Sequence, residues 1–247
     1  MTARLLRRIV LAAAALAGAA AAQPLPQALQ LHVPSPDWRD QVIYFVMTDR
    51  FADGDPRNND QGAGEYRPQD AEGWQGGDFA GLRAKLPYIR GLGATALWIT
   101  PPVAQQWLDP SGRHGGYHGY WAENFMKVDR HLGTLADLQG LSGDLHRAGM
   151  VLVQDIVVNH TGNYFAMQPG YTAALTTPPV ARPSQWPFSL NDPRRAADRR
   201  AGIYHWTPDV TDYNDPLQVE THQMGGLDDL ATEQPARSSR PPIWCVS

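Results

Sequence analysis

Three runs and one pair of residues carry the side chains from which chemistry can be built. Asp53-Gly54-Asp55-Pro56-Arg57-Asn58-Asn59-Asp60 interleaves carboxylates and amides with glycine, and these are the hard oxygen donors that calcium takes. The spacing is not that of an EF-hand loop, and the same residue types also form plain solvated turns. Tyr117-His118-Gly119-Tyr120-Trp121 places rings and an imidazole around a flexible glycine. Such a run either packs as an aromatic loop or offers a flat apolar surface to a pyranose ring. Asp155, Asn159 and His160 close an apolar run, and Asn159 and Asp229 share the oxygen chemistry that a second ion would need. His114 and His118 would be a metal pair on a helix, but Gly115-Gly116 between them argues against a helix there.

These clusters need elements to position them. Val42 to Val46 is a short apolar, β-branched and aromatic run and is predicted to be a buried strand. Phe79 to Arg90 carries Leu82, Leu86 and Ile89 at helical spacing, with Pro87 a possible kink and Gly91 and Gly93 as stops. Ala94 to Ile99 reads as a second buried strand. Thr134 is predicted to cap a helix, with Asp137 as its capping-box partner, and Leu135, Leu138, Leu141, Leu145 and Ala148 line one face. Val151 to Val158 reads as a third buried strand. Apolar strands alternating with helices predict an α/β protein with parallel pairing. Asp49-Arg50, Thr100 and Asp155 then stand at strand carboxyl ends, where ligands bind in such folds. Gly162 to Met224 is rich in Pro, Thr, Asp and aromatics without periodicity and is predicted to be an irregular excursion or small subdomain.

The chain has 247 residues, of which 43% are hydrophobic and 19% charged, with a net charge of −4. That is ordinary globular composition, and the slight acidic excess argues against nucleic acid as a partner. Arg4, Arg7 and Arg8 precede the apolar run Ile9 to Ala19 and the small residues Ala20-Ala21-Ala22. Positive, then apolar, then small is the pattern of a secretory signal peptide. Residues 1–22 are therefore expected to direct export to the periplasm or beyond the cell, with no membrane association after cleavage. A Pro-rich lead-in, 23–39, follows. The single cysteine, Cys245, makes an internal disulfide impossible.

Val42-Ile43-Tyr44 through Asp49-Arg50-Phe51, Gly76-Gly77-Asp78, Ala96-Leu97-Trp98-Ile99, Tyr117 to Trp121, and Asp155-Ile156-Val157-Val158-Asn159-His160 together resemble the α-amylase family of glycoside hydrolases, in the family's order and over roughly Asp40 to Ala231. The resemblance implies the N-terminal portion of a (β/α)8 TIM barrel, its first three β/α units over 40–161 and an irregular subdomain, 162–230, inserted after strand three. It implies an α-glucan substrate, starch or maltodextrin, cleaved at α-1,4 bonds with retention. It also implies calcium. Asp53, Asp55, Asn58, Asn59, Gly76 (through its carbonyl) and Asp78 match an extra calcium site of secreted members similar to cyclodextrin glucanotransferases. Asn159 matches the ligand between barrel and subdomain, and Asp229, in Gly226-Leu227-Asp228-Asp229-Leu230, the aspartate that completes that site. The matches to His118, Tyr120, Trp121 and His160 are implied to bind substrate, Tyr120 by stacking and His160 by hydrogen bonds to sugar hydroxyls, with Asp155 as buried support. Glu123-Asn124 departs from the family, where many members have Asp at the second position.

In this family the nucleophilic Asp follows an Arg at the end of strand four, and the acid Glu ends strand five. Neither motif is found after Leu230. The expectation is therefore an incomplete barrel, without nucleophile or acid/base and inactive as a hydrolase, and residues 231–247 an aberrant tail. The alternative is a non-catalytic glucan- or calcium-binding remnant.

Overall fold

The computed structural model describes residues 35–168, 172–175 and 183–233. The expected signal peptide, 1–22, the expected lead-in up to residue 34, and residues 234–247 of the expected tail lie outside the described residues. In chain order the elements are β1 (Ile43–Val46), α1 (Phe79–Gly91), β2 (Ala96–Ile99), β3 (Val103–Gln105), β4 (Ala122–Val128), α2 (Leu135–Arg147), β5 (Val151–Gln154), β6 (Phe165–Gln168), β7 (Thr172–Leu175), α3 (Ala196–Ala201) and α4 (Pro216–Thr221).

β1, β2 and β5 form one parallel sheet, with β2 central and Ile43, Ala96 and Val151 in register. Parallel neighbours need crossovers, and α1 and α2 supply them. Val46, Leu97 and Ile99 point to the helices and are buried against Leu82, Leu86 and Ile89 of α1 and Leu141 and Leu145 of α2. Asp78 caps α1 by accepting the Gly81 N–H at 2.7 Å. Pro87 lies on the exposed side of α1 and does not end it. Gly81 seats the first turn of α1 against the chain at Ala52, where an added Cβ would fall 1.8 Å from the Ala52 carbonyl oxygen. Thr134 and Asp137 make the full capping box on α2, each side chain bonding the other's backbone N–H.

Three expectations are corrected. The strands are not buried on both faces. The face carrying Ile43, Phe45 and Trp98 is open among the described residues, Phe45 being 49% exposed with its ring edge-on to Trp98 at 5.1 Å. The third strand ends at Gln154 rather than Val158, because Asp155 to Asn159 leave the sheet for the site, and Ile156 is 67% exposed. Leu135 is 60% exposed, since the first turn of α2 extends past the core that Leu141 and Leu145 reach.

Two hairpins were not anticipated. β3 and β4 pair antiparallel with shifts in register at Ala104, and β6 pairs antiparallel with β7 inside the stretch expected to be irregular. That stretch has its own small core of Phe165, Met167, Phe188, Tyr204 and Leu230. Glu123 and Asn124 tie it to β4: the Glu123 carboxylate accepts the Ser184 N–H at 2.7 Å, and the Asn124 amide donates to the Ser184 hydroxyl at 3.3 Å.

A buried ionic clasp joins the loop between β1 and α1 to the end of β4. His131 bonds Asp129 at 2.8 Å through Nδ1 and Glu65 at 3.1 Å through Nε2, with all three side chains fully buried. Trp74 stacks on the imidazole at 3.9 Å.

Candidate functional site

The site lies beyond the carboxyl ends of the parallel strands. Asp155, one residue past β5, sits there because the sheet stops at Gln154. Its Oδ2 accepts the Tyr120 hydroxyl at 2.9 Å and the Trp98 indole N–H at 3.2 Å. Asp155 is half-buried, not buried as expected, and its role as an anchor comes from these two donors. Burial and the neighbouring carboxylate push the Tyr120 phenol up to about 12, so the ring stays a neutral donor.

The Tyr117–Trp121 turn folds back on itself. The Tyr120 N–H donates to His118 Nδ1 at 3.0 Å. The His118 ring lies near-parallel to Tyr120 at 5.8 Å and edge-on to Trp121 at 4.7 Å. Gly119, at φ +90°, permits this, because a Cβ there would fall 2.5 Å from the Pro101 carbonyl oxygen. Burial, then the nearby Arg50 and His160 charges, press His118 down to about 4. The imidazole is therefore neutral near pH 7 and, with Nδ1 accepting, carries its proton on Nε2. Gln105 at the end of β3 fixes the far end of the turn, its side-chain oxygen accepting the Trp121 N–H at 2.6 Å.

His160 joins the cluster through two protein contacts. Its Nε2 faces the Tyr120 carbonyl at 3.1 Å and its Nδ1 faces the Asn159 amide at 3.3 Å. Both ring nitrogens face protein groups, so His160 braces the Tyr120 backbone. Burial lowers its pKa, partly offset by the Tyr120 carbonyl and Asp229.

The oxygen-rich loop is brought together as one cluster. The Asn59 amide donates to Asp53 at 2.6 Å and the Asn58 amide to Asp78 at 3.1 Å. Asp78 also accepts the Gly54 and Asp55 N–H groups. Gly76, at φ +96°, lies so close to Asn59 that a Cβ would fall 2.6 Å from its amide. The Asp55 carboxylate turns outward onto Arg57 at 2.7 Å. The side-chain oxygens of Asn58 and Asn59 are buried with no hydrogen-bond partner. Buried carbonyl oxygens without donors are costly, and a hard cation is the kind of group that satisfies them. The donor set of Asp53, Asn58 and Asn59 thus fits calcium. Among the described residues no group of three or more His, Cys, Asp or Glu side chains is arranged to hold a metal; amide oxygens carry much of this loop's donor chemistry.

Asn159 and Asp229 also meet, at 3.1 Å, because residues 159–161 bridge antiparallel to 228–230. The other Asp229 oxygen, however, holds His205 Nδ1 at 2.7 Å, and His205 Nε2 reaches Glu233 at 2.9 Å. Asp229, then burial in opposition, then Glu233 leave the His205 pKa raised. His205 thus shares Asp229 with Asn159, and the contacts of this pair are all to protein groups. His114 lies 3.5 Å from Glu72 and makes no pair with His118.

Arg50 follows the strand-end rule by position, but Trp98, inside β2, and Gln105 and His205, on segments whose partners only folding reveals, are not singled out for the site by sequence.

A parallel β/α sheet with its polar and aromatic cluster at the carboxyl ends of the strands is the arrangement in which α/β barrels keep their ligand sites. Residues 45–210 match the family model "Alpha amylase, catalytic domain", and the chain belongs to the α-amylase family of glycoside hydrolases. It is 38% identical over 212 residues to the β/α-amylase of Paenibacillus polymyxa, covering 84% of this chain and 15% of that protein. It is 40% identical over 134 residues to the periplasmic α-amylase of Escherichia coli K12, covering 51% of this chain and 20% of that one. Among solved structures, an α-amylase of Anoxybacillus superposes with a TM-score of 0.60 at 35% identity, over 81% of this chain and 36% of that one. The chain therefore spans well under half the length of these relatives.

Proposed function

We propose that this chain forms the front of the substrate cleft of an exported, retaining glycosidase acting on α-1,4-glucans such as starch or maltodextrin. The observation that carries the reading is the Tyr120–Asp155 hydrogen bond, which stands the phenol ring upright beside His118 and Trp121 at the strand carboxyl ends. Tyr120 and Trp121 supply apolar faces for a pyranose, and His118 Nε2–H a donor for a hydroxyl. A retaining glycosidase needs a nucleophilic carboxylate and an acid. Asp155 fills neither role, being held by Tyr120 and Trp98; the described residues bind and orient sugar, and bond cleavage is assigned to none of them.

In the same reading the loop of Asp53, Asn58, Asn59 and the Gly76 carbonyl holds one calcium ion, with Asp78 and Asp55 shaping it. The ion, when bound, supplies positive charge to the Asn58 and Asn59 oxygens. Export rests on the Arg4 to Ala22 pattern, and no described helix is long and apolar enough to cross a membrane.

Calorimetry with maltoheptaose and a reducing-sugar assay on starch, both on the full chain, test the reading. Turnover favours the enzyme. Binding lost in Tyr120→Ala without turnover favours a glucan-binding remnant. Absence of both overturns the reading.

A further inference from the structure

Arg50, whose charge acts on His118, lies against the Tyr117 end of the aromatic turn. It closes the short 3-10 turn Thr48–Arg50 that follows β1. Its Nη1 bonds Asp49 at 2.6 Å and its Nη2 donates to the Ala71 carbonyl at 2.8 Å. Asp49 is itself immobilised, buried at the side chain and accepting the Gln75 and Gly76 N–H groups at 3.0 Å each. Two bonds at different nitrogens fix the guanidinium plane, and its carbon stands 3.5 Å from the centroid of the Tyr117 ring. A cation over a ring face, largely removed from water, is attractive and directional. Tyr117 in turn meets His118 edge-on at 5.3 Å.

We propose that Arg50 is the positioning residue of the sugar platform: its clamped guanidinium, set against the Tyr117 ring, seats the Tyr117–Trp121 turn so that His118, Tyr120 and Trp121 face the glucan. The inference rests on the glucan reading above. The titratable groups facing His118 are Arg50, His160, Tyr117 and Tyr120, with Asp155 behind Tyr120. The two positive or protonatable neighbours, Arg50 and His160, both oppose imidazolium formation, and Arg50 is the permanent one.

The test uses the full chain as wild type, Arg50→Met, Arg50→Lys, Tyr117→Leu and the double variant Arg50→Met/Tyr117→Leu. The readouts are maltoheptaose affinity by calorimetry and the His118 titration by imidazole NMR. Arg50→Met is expected to weaken binding about tenfold, the scale of a desolvated cation–π contact. It is also expected to raise the His118 midpoint above about 4, while burial, the larger cause, still holds it below the ordinary 6.5. Arg50→Lys retains the charge but not the planar fork, so His118 stays low while affinity falls, a split that a merely structural role would not produce. The double variant is expected to bind no more weakly than Arg50→Met, since both changes remove one contact. If Arg50→Met does not fold, Arg50→Lys and Tyr117→Leu carry the same comparison. Additive losses, or an unmoved His118 midpoint in Arg50→Met, would overturn the proposal while leaving the glucan reading intact. A wild type that binds no maltoheptaose overturns the glucan reading and the proposal with it.

Discussion

The Tyr120 hydroxyl lies 2.9 Å from Asp155 Oδ2, although 35 residues separate them in sequence. The bond joins the aromatic turn after β3 to the residue that leaves β5, and Trp98 adds a second donor to the same oxygen. Tyr120→Phe retains the ring and removes one of these donors. It is expected to cost about 1.5–3 kcal/mol of stability, on the scale of a hydrogen bond to a charged group. Urea unfolding at pH 7 measures it. Spectrophotometric titration of the wild type, with Tyr120→Phe as control, is expected to show this phenol ionising near 12.

The His131 clasp makes stability depend on pH in both directions. Burial pushes the imidazole down, but Asp129 and Glu65 together leave its pKa above the ordinary 6.5. Its contribution is complete below 6.5 and is lost as pH rises through the folded value. Burial pushes Glu65 up, but backbone N–H groups and His131 leave it below 4.5. Its contribution is complete above 4.5 and is lost as pH falls through the folded value. The clasp is therefore strongest from 4.5 to 6.5. His131→Ala, which strands two buried carboxylates, is expected to cost about 3–5 kcal/mol in that window. A flat difference between wild type and variant from pH 4 to 9 would contradict this.

Calcium is expected to raise the thermal midpoint. At a free concentration a hundredfold above Kd the gain is about 2.7 kcal/mol, and chelation removes it. Asp53→Asn removes the loop's charged partner of Asn59 and is expected to abolish most of the gain. Scanning calorimetry with calcium, with magnesium and with chelator decides, and an equal response to all three would exclude a specific site.

Close packing at Gly81 gives a prediction independent of function. A Cβ there meets the Ala52 carbonyl at 1.8 Å, so α1 must shift away from the loop. Gly81→Ala is expected to destabilise by about 1–3 kcal/mol despite the better helix propensity of alanine. Gly91→Ala, where nothing lies within 4 Å, is the control and is expected to change stability far less.

The sequence by itself determined the parallel β/α frame and the caps of its helices. Apolar periodicity and the Thr134–Asp137 pair are local signals, and burial of Leu82, Leu86, Leu141 and Leu145 follows from them. It also determined which short runs carry chemistry, since Tyr117–Trp121, Asp53–Asp60 and Asp155–His160 are contiguous. Tertiary structure decided where the third strand ends, which face of the sheet is open, and how the stretch after it folds into a hairpin and a second core. It alone revealed that Arg50 lies under Tyr117, that His160 turns both nitrogens to protein, and that His205 stands on Asp229. Those relationships join residues tens of positions apart and depend on angles and distances between side chains. Periodicity and residue type constrain a segment's own conformation, whereas partner choice across segments is settled only when packing brings specific atoms within hydrogen-bond reach.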